Sequence, residues 1–429
     1  MATETLSALR AKMRDRGLLA PRPGRVVAEL SLHVTLAIGG ILLFLWTETL
    51  LLQLLAAIMV TLGQLGVGTN THTSSHGATS RKAWLNEALT YFGYPFFLQM
   101  SATYWWNSHC EIHHPAPNVV GVDQDVDLSP WLALTKPEVE RSGRLLRAWY
   151  KVQWVFFPLI LLGNGFNVQL SSWRYLLGCL RDPQRRTHRH WIDLGVMLAH
   201  LAFWVGLPMI WFDPLTVLGL YALRIGLMGY AMFIVLAPGH FPMAAAAVTQ
   251  ENVNGDYALL QTANTVNFTT GRLGTWLCSG LQFQVEHHLF PNLSHANLPR
   301  IAPMVREFCA RNGLPYHSMS WPRAVWECWR TLRVHKPVHG DLEALRLQVE
   351  ATLVELPQTL SASLSDSLHA VEESARLKLQ AVETSLHPVE ETARLKLQSV
   401  ETSLHPMQES ARQKLQAVEE SLEPRPVTN

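Results

Sequence analysis

The sequence predicts an all-α integral membrane protein in which four transmembrane helices form two hairpins beneath a cytoplasmic helical cap. Three observations carry this prediction. The chain has 429 residues, 48% of them hydrophobic and only 16% charged, against about 25% charged in average soluble domains. Four apolar runs, at 26–46, 50–67, 191–212 and 215–238, match or approach the roughly 20 residues that a bilayer crossing needs. Only "TET" separates the first run from the second, and only "DP" the third from the fourth, so each pair turns back on itself.

The flanks of these runs set their direction. Arg10, Lys12, Arg14, Arg16, Arg22 and Arg25 precede the first run, and Arg181, Arg185, Arg186 and Arg189 precede the third, while the two hairpin tips carry no Lys or Arg. The excess of positive charge marks the cytoplasmic side, which places both termini and the long middle segment there. Arg224 falls inside the fourth run, where a charge is costly and by default functional. The stretch 149–166, "WYKVQWVFFPLILLGNGF", is apolar but short and broken by Pro158, so it is expected to lie in the membrane interface.

Composition excludes several other classes. The net charge is +1, which offers no overall basic signature for nucleic acid. Five cysteines without zinc-type spacing argue against a disulfide scaffold. The 25 residues before the first run read as a cytoplasmic segment rather than a secretory signal. Charge is unevenly spread: 8 of the 35 basic and 15 of the 34 acidic residues lie from Asp341 onward, leaving a body with 27 against 19. The domain plan is a segment 1–25, a membrane domain 26–335, a linker 336–366 and a tail 367–424.

Chemistry concentrates in the histidines. "HTSSH" contains His72 and His76, "HCEIHH" contains His109, His113 and His114, and "QVEHH" contains His287 and His288. Residues four apart share one face of a helix, which pairs His72 with His76 and His109 with His113. His114, rotated about 100° further, is expected to reach toward a second metal. All three clusters, with His240 in "APGHFP" at the end of the fourth run, lie close to the cytoplasmic ends of the spans. Isolated histidines such as His33 and His200 read as packed core residues. Eight imidazoles exceed the four ligands of a structural zinc and match two ions, with zinc, copper, iron or nickel compatible with the donor type. The cap is therefore expected to hold a histidine-rich dimetal site.

The pattern HxxxH, HxxxHH, QxxHH resembles that of the membrane fatty acid desaturases. "QVEHHLFP" is similar to the third box of the front-end branch, and "HHPAPNVVGVDQDVD" to the family's sequence after its second box; the resemblance covers roughly residues 40–330. It implies two Fe ions held by His72, His76, His109, His113, His114, His240, His287 and His288. Gln284, in the first position of the third box, is expected to orient a water or an imidazole. Asp123, Asp125 and Asp127 alternate in a loop without the glycine and terminal glutamate of a calcium loop; Asp123 and Asp127 are expected in contacts behind the ligands. Tyr104, Trp105 and Trp106 are candidates for an acyl tunnel wall. The implied reaction is oxygen-dependent desaturation of a lipid- or CoA-linked acyl chain. Absence of a His-Pro-Gly-Gly haem motif implies electrons from a separate ferredoxin, rubredoxin-like or cytochrome-type donor with its reductase. Two departures stand out: Thr73 follows the first histidine where an acid is common, and Leu236 occupies the position that is Asn in the stearoyl-CoA branch. A hydroxylase using the same oxidant and a non-enzymatic metal-binding scaffold are the rival readings.

From Ser367 the chain repeats every 18 residues, beginning "SLHAVEESARLKLQAVET". Eighteen residues make five helical turns, so Leu368, Val371, Ala375, Leu379, Val382 and Leu386 form one apolar stripe. Pro388 and Pro406 are expected to divide the tail into three helices. Self-association and binding to a lipid surface are the roles open to it.

Overall fold

The computed structural model describes residues 4–342 and, beyond them, Ala344, Leu347 and Glu409. The 18-residue repeats and most of the linker lie outside the described residues. The first helix, α1 (Leu6–Asp15), starts where the Thr5 hydroxyl accepts the Ala8 N–H at 3.2 Å and buries Leu9 and Met13. Then come α2 (Pro23–Trp46) and α3 (Leu50–Ser75), a hairpin closed by small residues. A Cβ on Gly63 would lie 2.5 Å from the Ala37 nitrogen, so the two backbones touch, the mode by which helices associate without a hydrophobic driving force. Outward-facing Leu42, Trp46, Leu51 and Ile58 are exposed, as the lipid-facing side of a span requires.

Next, α4 (Ala83–Tyr91) widens into a π-helical turn, Phe92–Leu98, and α5 (Ala102–Trp105) into a second one, Trp106–His113. After α6 (Lys136–Arg141) comes α7 (Arg144–Arg181), 38 residues long. Helix α8 (His188–Leu201) continues through irregular turns to Ile210, and α9 (Pro214–Leu236) opens on Pro214 behind Asp213, whose carboxylate accepts the Thr216 N–H at 2.8 Å. Five short helices complete the body: α10 (Tyr257–Ala263), α11 (Arg272–Cys278), α12 (Gln284–Leu289), α13 (Leu298–Arg311) and α14 (Trp321–Val334). Two short parallel strand pairs, β1 (Ala247–Val248) with β4 (Val338–His339) and β2 (Val266–Thr269) with β3 (His317–Ser320), bind the loops between them.

Five helices among the described residues are long and apolar enough to cross a membrane, where four were expected. The addition is α7. The stretch expected to be short and broken at Pro158 is the middle of one continuous helix. Proline removes the N–H that would bond the carbonyl four residues back; here that carbonyl belongs to Trp154, and the indole N–H of Trp329 donates to it at 2.7 Å. A partner from a distant helix thus removes the penalty that makes proline look like a break.

Helix α7 runs antiparallel to α9 in a register that repeats every four residues. Phe157 meets Phe233, Leu161 meets Gly229, and Gly165 meets Ile225. A Cβ at position 229 would sit 1.9 Å from the Leu161 carbonyl oxygen. Gly229→Ala is therefore expected to push the pair apart and destabilise the protein by about 1–3 kcal/mol, read as a lower Tm in detergent; an unchanged Tm would show that α7 and α9 do not pack at this distance.

Candidate metal centre

The histidines converge from four segments: the last turn of α3, the second π-helical turn, the end of α9 and α12. Each segment is anchored by buried polar bonds. The Asp193 carboxylate, from α8, collects the Ala102 N–H at 3.1 Å, the Thr103 N–H at 2.9 Å, and the Ser101 and Thr103 hydroxyls at 2.6 and 2.7 Å. That fixes the start of the helix carrying "HCEIHH". The α3 end is held by His295, whose Nδ1 lies 2.6 Å from the Thr73 hydroxyl and whose Nε2 lies 2.8 Å from the Glu29 carboxylate. Asn118, at φ +54°, donates its amide to the carbonyls of His240, Ala246 and Asn264. Lys336, buried, donates to the His240 and Ala245 carbonyls at 2.5 and 2.7 Å.

Two sets of imidazoles result. His72, His76, His109, His114 and His287 form one; His113, His240 and His288 form the other. The division differs from the one α-helical spacing predicts. His109 and His113 were expected to share a face, with His114 turned toward the second metal. Instead the His114 N–H bonds the His109 carbonyl five residues back, at 3.0 Å. Such π winding brings residue i+5 round toward residue i, so His114 joins His109, while His113, its ring stacked on that of His109 at 5.1 Å as the four-residue spacing predicts, also reaches the other set.

Distances inside the larger set have a direct chemical meaning. His72 Nε2 lies 2.9 Å and His114 Nε2 3.2 Å from His109 Nε2, and His287 Nε2 lies 3.1 Å from His114 Nε2. His109 Nδ1 is 2.8 Å from the Asp125 carboxylate, which holds the ring proton there and leaves Nε2 one lone pair facing two nitrogens. His72 or His114 can donate to that lone pair, and the nitrogens so gathered also form a donor set that could hold a metal ion. In the smaller set, His288 Nε2 and His240 Nδ1 are buried without a partner among the described residues.

Electrostatics agrees. Burial, then the neighbouring imidazoles, hold His109, His114, His287 and His288 well below the usual histidine range, and His240 at about 3. Neutral imidazole is the metal-binding form. His113 is the exception: burial pulls it down, but the Asp123 carboxylate, 2.8 Å from its Nδ1, outweighs that and raises it.

The other singled-out residues are placed as follows. Asp123 also accepts the Asn118 N–H at 2.7 Å. Asp127 accepts the Ser129 N–H at 3.1 Å in its own loop, and the neighbouring Asp125 faces the imidazoles instead. Gln284 donates to the Leu281 carbonyl at 2.8 Å and its side chain faces His240. Trp105 stacks on His109 with ring centres 4.1 Å apart and donates to the Ser75 hydroxyl; Trp106 donates to the Ser75 carbonyl; Tyr104 packs on Tyr175. Sequence reasoning missed Gln261, whose carbonyl oxygen lies 3.0 Å from His288 Nδ1 and whose amide donates to the His114 carbonyl. It also missed Lys336 and Asn118. Gln261 and Lys336 stand in no motif, and Asn118 lies in "HHPAPNVVGVDQDVD" without any mark of its role.

Comparison with known proteins followed the same lines. The family model for fatty acid desaturase matches residues 45–320. An acyl-lipid (8-3)-desaturase of Thraustochytrium sp is 30% identical over 277 residues, 63% of this chain and 60% of that one. A Delta(5) fatty acid desaturase of Caenorhabditis elegans is 28% identical over 322 residues, 72% and 68%. An acyl-lipid (9-3)-desaturase of Physcomitrium patens is 28% identical over 307 residues, 68% and 55%. The chain thus spans 55 to 68% of the length of these relatives.

Two measurements test the two-set division. His240→Ala removes one of three ligands and should lower metal per chain by about half, and His72→Ala should deplete the other set; equal loss of all metal in both variants would indicate a single merged site. Asp123→Asn should weaken binding by about 10–100-fold, seen as easier stripping by a chelator.

Proposed function

The chain belongs to the fatty acid desaturase family, and from that premise we propose that it introduces a carbon–carbon double bond into a lipid- or CoA-linked acyl chain. The observation that carries this reading is the gathering of eight imidazoles, seven of them buried, in two adjacent sets, with His72, His76 and His240 at the ends of apolar helices. Desaturation is favoured over hydroxylation because the relatives are named desaturases.

We assign two iron ions to the two sets; when bound they supply the oxidising chemistry, with dioxygen, that takes two hydrogens from neighbouring methylenes. The remaining work belongs to the protein. Asp125 and Asp123 keep the Nδ1 protons of His109 and His113, so that Nε2 of each ring faces inward. Gln261 does the same for His288. Partners behind metal ligands set ring orientation and basicity. Gln284, whose side chain fills the space a Cβ on Gly239 would need, orients His240. Burial of nearly every imidazole keeps bulk water from the reacting carbon. Electrons come from a separate ferredoxin, rubredoxin-like or cytochrome-type carrier.

In this reading α2, α3, α8 and α9 cross the bilayer as two hairpins and the histidine-bearing ends face the cytoplasm, on the basic side. Helix α7 packs antiparallel to α9 over Phe157 to Gly165 and is not counted among these four crossings. Both its ends meet the histidine-bearing side: Gln153 donates to the Ala133 and Leu332 carbonyls, and Tyr175 packs on Tyr104, five residues before His109.

Expression in a host of defined lipid composition should yield a new acyl product lighter than its precursor by two hydrogens. A product heavier by one oxygen would identify a hydroxylase instead. His288→Ala should abolish the product while the protein still accumulates in the membrane.

A further inference from the structure

The chain that leaves α14 toward the acidic tail runs beside the segment carrying His240. At His335 the backbone turns out of α14 with φ +58° and ψ +138°, a conformation that residues other than glycine rarely adopt. The His335 N–H still bonds the Thr331 carbonyl at 2.8 Å, and the ring lies 3.1 Å from the Gln153 amide. The turn sends residues 336–342 between two other segments of the cap. Lys336 donates its backbone N–H to the Leu134 carbonyl at 2.7 Å and accepts the Lys136 N–H at 2.9 Å. Val338 and His339 pair with Ala247 and Val248. Asn252 holds the far end, donating its amide to the Gly340 carbonyl at 3.2 Å and accepting the Leu342 N–H at 3.1 Å.

In this segment the Lys336 side chain is the group that packing does not explain. It is buried, and its ammonium donates to two backbone carbonyls, those of His240 and Ala245. Taking a charge out of water is costly, and a methionine would fill similar space without that cost. What the ammonium adds is a set of directed donors. His240 has need of them. Helix α9 ends at Leu236, and His240 follows a short 3-10 turn, Ala237–Gly239, so no regular helix fixes its backbone. Its N–H bonds the Ala237 carbonyl at 3.0 Å, and its own carbonyl takes both Lys336 and Asn118. Two donors fill both lone pairs of that oxygen. His113 and His288, the other members of the set, sit within wound segments. Lys336 also lies beyond residue 320, where the match to the family ends.

We propose that Lys336 is a positioning residue for the smaller imidazole set: its ammonium fixes the backbone of His240, and the segment 336–342 is the latch that carries it. This rests on the assignment of a metal ion to that set. With the latch released, His240 would turn away and leave His113 and His288, fewer than the three protein ligands that open metal sites keep. The larger set draws its ligands from α3, the second π-helical turn and α12, and would keep its ion. Occupancy of one set is thereby tied to the segment that joins the body to the tail.

The test loads the full-length protein in detergent with ferrous iron-57 and follows iron per chain, its release to a chelator, and the Mössbauer spectrum. Lys336→Met should release about half of the iron about tenfold faster than wild type, with the other half unchanged. The doublet it loses should be the one lost in His240→Ala, and the double variant should lose no more than His240→Ala alone, because both changes act on one set. If Lys336→Met does not accumulate, Asn252→Ala, which frees the far end of the latch, should speed release of that same half. Wild-type release in whichever variant is measured would overturn the proposal. So would equal loss of both doublets, or further loss in the double variant, since either marks a general loosening of the fold. If the wild type makes no acyl product yet this iron pattern holds, the desaturase reading fails and the latch stands; product without the pattern sinks the latch alone.

Discussion

The arrangement depends on neutral imidazole nitrogens held 2.9 to 3.2 Å apart inside a buried pocket. Charged histidines would repel at that distance, and burial strips the water that would screen them. Neutral ones still present lone pairs to one another, and His109, with its proton committed to Asp125, cannot relieve the crowding by donating. A cation, which this donor set could hold, would turn the crowding into stabilisation. Four chain segments must therefore arrive with ångström accuracy.

That accuracy comes from buried polar contacts between segments far apart in the chain. Glu29 and His295 hold Thr73 from opposite ends of the body, so the residue that stands where an acid is common reaches a carboxylate through a histidine. Asn118 gathers three carbonyls and Lys336 two, sharing that of His240. Removing one partner of such a bond leaves the other buried and unsatisfied, which costs more than the bond returns. The cap is stiff for that reason, and a stiff cap is what positioned chemistry requires.

The apolar helices serve a different purpose. Their backbones touch at glycines, at Gly63 against Ala37 and at Gly229 against Leu161, and their outer faces are Leu, Ile, Phe and Trp. Against this uniform background the unpartnered amide of Gln64 and the Nε of Arg224 stand out. Both ring nitrogens of His33, in α2, are likewise buried without a partner among the described residues.

By itself the sequence determined what depends on residue type and local period. Apolar run length marked α2, α3, α8 and α9, the histidine clusters marked seven imidazoles of the two sets, and the end of the fourth run marked His240 as the eighth. It could not show that Pro158 sits within a helix, because the indole N–H that donates to the freed carbonyl comes from Trp329, distant in the chain. Nor could it divide His109, His113 and His114, because spacing was read with the α-helical period and the segment winds as a π-helix. The partners Asp125, Gln261, Asn118 and Lys336 were settled only by tertiary structure. A hydrogen bond between distant segments leaves no periodic trace in either one, so its two ends become visible together only once the chain has folded.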